Sequence, residues 1–366
     1  MTLRSWAGRA IAAVAVLGLG LGVAACGSDS SSAGSSTAAP AAETTLNFGY
    51  VTTAQHPYGL ALQQFADQIK TESAGKLAIN LLPVYGGGDD LVLLDDISGG
   101  TVDGGTVSAA VWGARDVHDF EALQLPFLIT GYGTEAAVLN SPIATDMLKG
   151  TAKLGITGLA IHEGGLRKPL NNGACLKNPG DFKGVKIRSV PSPVLVDGLT
   201  ALGGNPVALP LSDVYLALKQ GTVDAMEANL GLVFTQKFYE VTKCITANVN
   251  LWPFPAVLTI NTDKWDSLSA EEQGWITDAA AKIDDESIAI LTNPASTLVA
   301  DLCATGLKFG VATPADQTAL RTAVDSVYKK YTATEPTGGF VAAIEKIKAG
   351  LPAPPAPKPL PAGCAE

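Results

Sequence analysis

Positive charge is scarce in this 366-residue chain. Only 25 lysines and arginines stand against 35 acidic side chains, giving a formal net charge of -10 and a pI near 4.8. That balance excludes a nucleic-acid binder, which needs a basic face to displace counterions, and it does not favour a peripheral protein held on anionic lipid by basic residues. Catalytic signatures are lacking as well: there is no Gly-x-Ser-x-Gly elbow, no His-Glu-x-x-His zinc helix and no P-loop. The three histidines, His56, His118 and His162, are scattered, and neither a metal nor a cofactor is expected. The adjacent acids Asp89-Asp90 and Asp95-Asp96 read as solvated charge beside the Gly86-Gly87-Gly88 loop, because neighbouring side chains diverge rather than flank a bond as glycosidase carboxylates do. No repeat of solenoid period is present. What the chain does have is apolar material, 47% of its residues against 16% charged, enough to bury a core over most of its length. The length suits two domains or one large one.

The first segment reads as an address. Arg4 and Arg9 precede an apolar run from Ala10 to Ala25 that is too short for a membrane span of about 20 residues. Small residues then lead to Cys26, which resembles the bacterial lipoprotein box, in which the cysteine thiol is lipidated. Residues 1–25 are therefore expected to be a signal peptide, and 26–43, rich in Ser, Ala, Gly, Thr and Pro, a lipidated flexible tether. The expectation is an exported, membrane-anchored lipoprotein facing the outside or the periplasm. Four further cysteines, an even number in an exported chain, suggest two disulfides. Three pairings are open; Cys175 with Cys244 and Cys303 with Cys364 are favoured because each closes one region of the chain.

From Leu46 onward the chain alternates between strand and helix patterns, implying βαβ units and a mainly parallel sheet. Strands are expected at Leu46–Val51, Leu77–Leu81, Val102–Ser108, Ile156–Ile161, Gly184–Val190, Pro206–Leu209, Val223–Glu227 and, as the last, Leu258–Asn261. Ser212 is expected to cap a helix ending near Gln220, and Ser269 with Glu272 forms a capping box for a helix running to about Ser287. Helices then dominate over 291–350, before a Pro-rich tail at 351–366.

Between Gly164 and Cys244 the residues stop being generic. Gly165-Leu166-Arg167, then Pro179-Gly180-Asp181-Phe182-Lys183-Gly184-Val185-Lys186-Ile187-Arg188, then Leu202-Gly203-Gly204-Asn205-Pro206 follow one another. Leu211-Ser212-Asp213-Val214-Tyr215, Gln220-Gly221-Thr222-Val223-Asp224 and Lys237-Phe238-Tyr239-Glu240-Val241 complete the series. In order and spacing they resemble the DctP family, the extracytoplasmic solute receptors of TRAP (tripartite ATP-independent periplasmic) transporters. Gly100-Thr101-Val102-Asp103, Leu125-Pro126-Phe127-Leu128 and Trp265-Asp266-Ser267-Leu268-Ser269 extend the likeness over most of Leu46 to Tyr331. The resemblance implies an α/β, two-lobed, periplasmic-binding-protein-like fold with mixed, mainly parallel sheets, elements crossing between the lobes and a long helix in the C-terminal half. Lobe I would be 44–125 plus 247–290 and lobe II 126–246, with 291–350 packing on both. The implied partners are a small carboxylate-containing ligand and the small and large subunits of a sodium-coupled permease, with the membrane reached through the lipid anchor alone and no nucleic acid.

A carboxylate entering a dry cleft needs a fixed partner, and the planar fork of arginine supplies two parallel bonds while staying charged. Arg188, at the end of an apolar strand, matches the family's clamping arginine, and Arg167 matches a second one. Asn229 stands one place beyond the family's ligand-binding asparagine, a shift that on a strand reverses the side chain. Tyr215, Trp252 and Phe254 are candidate apolar walls. The resemblance implies a receptor rather than an enzyme; a ligand sensor reporting to a membrane kinase keeps the same fold, and an exported enzyme is the remaining alternative.

Overall fold

The computed structural model describes residues 42–292, 295–352 and 359–366. Among the described residues eleven strands form two sheets. In chain order they are β1 (Thr44–Tyr50), β2 (Leu77–Pro83), β3 (Gly104–Ser108), β4 (Ile156–Glu163), β5 (Lys168–Asn171), β6 (Lys186–Ser189), β7 (Asn205–Ala208), β8 (Ala225–Ala228), β9 (Cys244–Thr246), β10 (Pro255–Asn261) and β11 (Lys308–Gly310). The first sheet has the order β2-β1-β3-β10-β4 and the second β11-β9-β5-β8-β6-β7. Both are mixed: β10 runs antiparallel to β3 and β4, and β5 antiparallel to β8 and β9, while the other pairings are parallel. All seven residues of β10 are buried, as its place inside the sheet with both faces covered requires. The edge strand β2 is mostly half-exposed.

The chain passes from the first sheet to the second at residues 164–167 and returns at 247–254, and the two crossings are bonded to each other. Arg167 N donates to Trp252 O at 2.9 Å, Leu251 N to Arg167 O at 2.8 Å and Gly164 N to Phe254 O at 3.0 Å. The helix expected in the C-terminal half is present as consecutive segments, Ala270–Ala280, Ile283–Thr292 and Ala295–Ala304. Ser287 Oγ of the second segment accepts from Glu163 N at the end of β4. Leu302 of the third joins Leu232 in the core of the second sheet, so this run also reaches from one sheet to the other. The Ser269–Glu272 capping box opens it as expected.

Several expectations need correction. β4 pairs along its whole length with β10, so 156–163 lies in the first sheet and the boundary expected at 125/126 is not a sheet boundary. The chain revisits the first sheet after a helical excursion that its composition does not mark. Leu258–Asn261 is not the last strand, because β11 follows; β5, β9 and β11 are only three or four residues long. Ser212 is not a cap. Its helix starts at Leu211 behind Pro210, whose fixed φ suits an extended N-terminal junction, and the Ser212 hydroxyl instead lies 3.2 Å from Asp213 Oδ1. The helix from Ser269 breaks after Ala280 rather than running unbroken to Ser287.

Two disulfides are formed, Cys175–Cys244 and Cys303–Cys364, with Cα atoms 5.0 and 5.4 Å apart. The second ties the end of the chain down, and there Glu366 pairs with Lys177 at 2.8 Å and Ala365 bridges to Phe309. Cys26, the segment 1–25 and all of the tether except residues 42 and 43 lie outside the described residues.

Candidate functional site

In open α/β sheets the crevice beyond the carboxyl ends of parallel strands is where side chains converge on a guest. Here such a crevice lies between the two sheets. Val51 follows β1, Gly88 and Asp90 follow β2, Arg188 and Val190 mark the end of β6, and Pro210 and Leu211 follow β7. Arg167 and Phe254, one from each crossing, complete the lining together with Leu232. The two sides touch: Leu211 N donates to Gly88 O at 3.2 Å, and Asn229 Nδ2 lies 3.5 Å from His56 Nε2. Only about 20 Å3 between them is open to a water-sized molecule, roughly what one water needs.

Arg188 is 3% exposed. Its Nε and Nη2 both donate to Leu209 O, at 3.0 and 2.8 Å, and among the described residues no carboxylate lies within ion-pair distance. Burial pulls its guanidinium down to about 10, while Asp90 across the cavity pushes it up. Arg167, 1% exposed, is held differently. Its Nε pairs with Glu227 Oε2, its Nη2 donates to Glu227 O at 2.6 Å, and its guanidinium stacks 4.4 Å over the Phe254 ring. Burial first, and then the Arg188 charge, pull it down to about 9.

Behind Arg167 sits a polar scaffold. Trp252 Nε1 donates to the same Glu227 oxygen at 3.3 Å. Glu163 Oε1 accepts from the backbone N–H groups of Gly165 and Phe254, one on each crossing. Its other oxygen is buried without a partner among the described residues, and burial pushes the carboxyl up to about 8. Gly165 has φ +121, and a Cβ there would meet the Asn229 side chain at 2.7 Å, so only glycine lets the crossing pass. Burial also drives the His56 and His162 imidazoles down to about 3, with Arg167 adding to the effect at His56.

The structure thus brings Arg188, Arg167 and Phe254 to one cavity and places Trp252 behind it as support. Asn229 caps the helix Leu230–Thr235, its Oδ1 accepting from Leu232 N at 2.7 Å, and it does not line the cavity. Tyr215 lies outside the cavity too; its hydroxyl donates to Glu240 at 2.7 Å on an exposed face. Sequence reasoning missed Asp90. Of the pair taken as solvated charge, only Asp89 serves a local purpose, capping the helix Asp90–Ser98 through Leu91 N at 2.9 Å. Asp90 is turned into the cavity, and the available signal was its place at a helix start just after a glycine loop. A larger cavity, about 820 Å3, lies behind the crossings between Tyr132, Leu166, Asn250 and Arg321. Among the described residues its lining holds one cation, Arg321, which donates to Phe127 O, and no facing pair.

Two α/β sheets joined by paired crossings, with buried cations in the crevice between them, define a two-lobed binding protein. The family model for bacterial extracellular solute-binding proteins, family 7 (DctP), matches residues 48–335, and the chain belongs to that family. It is similar to the 2,3-diketo-L-gulonate-binding periplasmic protein of Escherichia coli, 31% identical over 65% of this chain and 72% of the relative. The C4-dicarboxylate-binding periplasmic protein of Rhodobacter capsulatus is 30% identical over 68% of this chain and 74% of its own length. Among solved structures, a TRAP periplasmic solute-binding protein from Haemophilus influenzae with bound L-gulonate superposes with a TM-score of 0.77 at 26% identity, covering 83% of this chain and 99% of the other.

Proposed function

We propose that the chain captures a small organic acid outside the cytoplasmic membrane and delivers it to the small and large subunits of a sodium-coupled TRAP permease, without transforming it. The signal peptide at 1–25 would direct export, and lipidation at Cys26 would hold the receptor beside that permease. The observation that carries this reading is the pair of arginines in one buried cavity, of which Arg188 is bound, among the described residues, only to a neutral carbonyl and keeps its charge for a guest carboxylate. Arg167 supplies the second cationic wall, and Phe254 orients its plane by stacking. The relatives that bind gulonate, diketogulonate and C4-dicarboxylates support an acid as guest.

The cavity's small size supports capture by hinge closure. Space for about one water between the two sides admits no sugar acid, so a guest enters when the Gly88–Leu211 and His56–Asn229 contacts part, and its binding energy offsets the cost of closing. The test is calorimetric titration of the purified protein with a panel of small organic acids, alongside Arg188→Ala. One acid or a narrow series should bind, and the variant should lose at least about a hundredfold in affinity, since a desolvated carboxylate loses its charged partner. Unchanged affinity in Arg188→Ala would remove the clamp, and a panel without any binder would remove the organic acid.

A further inference from the structure

We propose that Asp90 selects the guest by accepting a hydrogen bond from one of its hydroxyls, so that the cleft takes hydroxylated monocarboxylates and rejects dicarboxylates. This rests on the reading of the cleft as an organic-acid site and goes beyond it, because the family's relatives include proteins named for either chemistry.

Three observations carry the inference. Asp90 lines the same cavity as Arg167 and Arg188, yet no ion pair within 4.0 Å joins it to either among the described residues, so the three side chains face one another across the space a guest fills. Its Oδ1 is tied down by Ser108 N at 2.9 Å, which fixes the carboxylate. Its Oδ2 has no donor among the described residues, leaving one acceptor free on a residue that lines the cavity.

The charges then sort the guests. Arg167 is matched by Glu227, so the cavity offers one unmatched cation, Arg188, and one carboxylate, Asp90. A guest carboxylate satisfies Arg188. The far side must then meet an ionised carboxylate, which only accepts hydrogen bonds. A hydroxyl donates to it; a second carboxylate repels it; a methylene leaves it buried and unpaired. Asp90 is ionised at neutral pH and not far above the point where it would cease to be. Burial pushes its carboxyl up to about 6, against the pull of Ser108 N–H, Arg188 and Arg167, with the neighbouring Asp89 adding to the rise.

The experiment titrates the full chain and Asp90→Asn with three probes. L-gulonate is a hydroxylated monoacid, hexanoate is its counterpart of equal chain length without hydroxyls, and fumarate is a diacid that stays almost fully dianionic down to pH 5.5. At pH 7.5 L-gulonate should bind the native protein at least about tenfold more tightly than either of the others, because a site built to bond a hydroxyl rejects analogues lacking it. In Asp90→Asn, which keeps an acceptor for Ser108 N, the advantage over fumarate should collapse to within about threefold. The native protein alone gives a second reading should the variant fold poorly: its preference for L-gulonate over fumarate should shrink on going from pH 7.5 to 5.5 as Asp90 takes up a proton. Preference for fumarate in the native protein, or ratios unmoved by both the substitution and the pH, overturns the proposal and leaves Asp90 as a tether for Ser108. Binding of none of the three, nor of any acid in the wider panel, would instead overturn the organic-acid reading on which it rests.

Discussion

Arg167 and Arg188 face the same cavity and are almost equally buried, yet their surroundings treat their charge in opposite ways. Glu227 pairs with Arg167, and Trp252, Phe254 and the bonded crossings close around that pair. Among the described residues Arg188 hydrogen-bonds only the carbonyl of Leu209. A buried charge is tolerated when it is paired or hydrogen-bonded, so the Arg167 charge is balanced within the protein, whereas in the proposed reading the Arg188 charge is balanced by a guest.

The largest expected effect follows from that contrast. Arg167→Ala strands the Glu227 carboxylate, itself 0% exposed, with Trp252 Nε1 as its remaining side-chain donor, and breaking a buried pair in this way costs about 3–5 kcal/mol. Arg188→Ala removes one hydrogen-bonded group from Leu209 O and should cost about 1 kcal/mol while abolishing binding. Urea unfolding of the two variants without ligand measures both. Arg167→Met combined with Glu227→Gln should recover part of the lost stability, since no unpaired charge then remains. If Arg167→Ala proved as stable as the native protein and merely failed to bind, the contrast would be wrong and both arginines would serve the guest alike.

A smaller effect sharpens the picture of the Arg167 wall. Glu163 ties the two crossings together, and burial pushes its carboxyl up to about 8 from 4.5. Between those values the folded chain holds a proton that the unfolded chain has released, so this group's contribution to stability is full below 4.5 and falls as pH rises toward 8. Glu163→Gln keeps a carbonyl acceptor for Gly165 and Phe254 but does not titrate. Measured at about pH 6 and again at about pH 7, inside that window, the stability difference between variant and native protein should therefore move in the variant's favour by about 1.4 kcal/mol. A difference independent of pH would mean that the crossings are not built around a neutral acid.

Much of this arrangement was legible in the sequence. Each of the eight expected strands has its counterpart, because a short apolar stretch between turn residues is a local signal. Arg188 and Phe254, singled out as a cation at the end of an apolar strand and an aromatic at a crossing, both line the cavity. The missed strands β5, β9 and β11 are too short to show a period, and β5 contains a proline. Tyr215 was misplaced because the face a helical residue presents depends on what packs there, and its half-buried ring lies toward Glu240 rather than the cleft. Asp90 was misread for the opposite reason. That adjacent acids diverge was correctly inferred, but divergence sent Asp89 to a helix cap and Asp90 into the cavity, and no local pattern says which acid goes where.

The smallest effect decides what Asn229 is for. Its Oδ1 caps the helix Leu230–Thr235 and its Nδ2 reaches toward His56 on the other side of the cleft, so it works on the same closure as the arginines without lining their cavity. Asn229→Ala removes the cap and should cost about 1 kcal/mol, whereas Asn229→Asp keeps a capping oxygen and should cost less. Because the cap lies in the second sheet's half of the cleft whether open or closed, affinity should fall only by the His56 contact, about fivefold. An affinity loss in Asn229→Ala approaching that of Arg188→Ala would return Asn229 to the guest, and the ligand set would then extend along the end of β8 as well as that of β6.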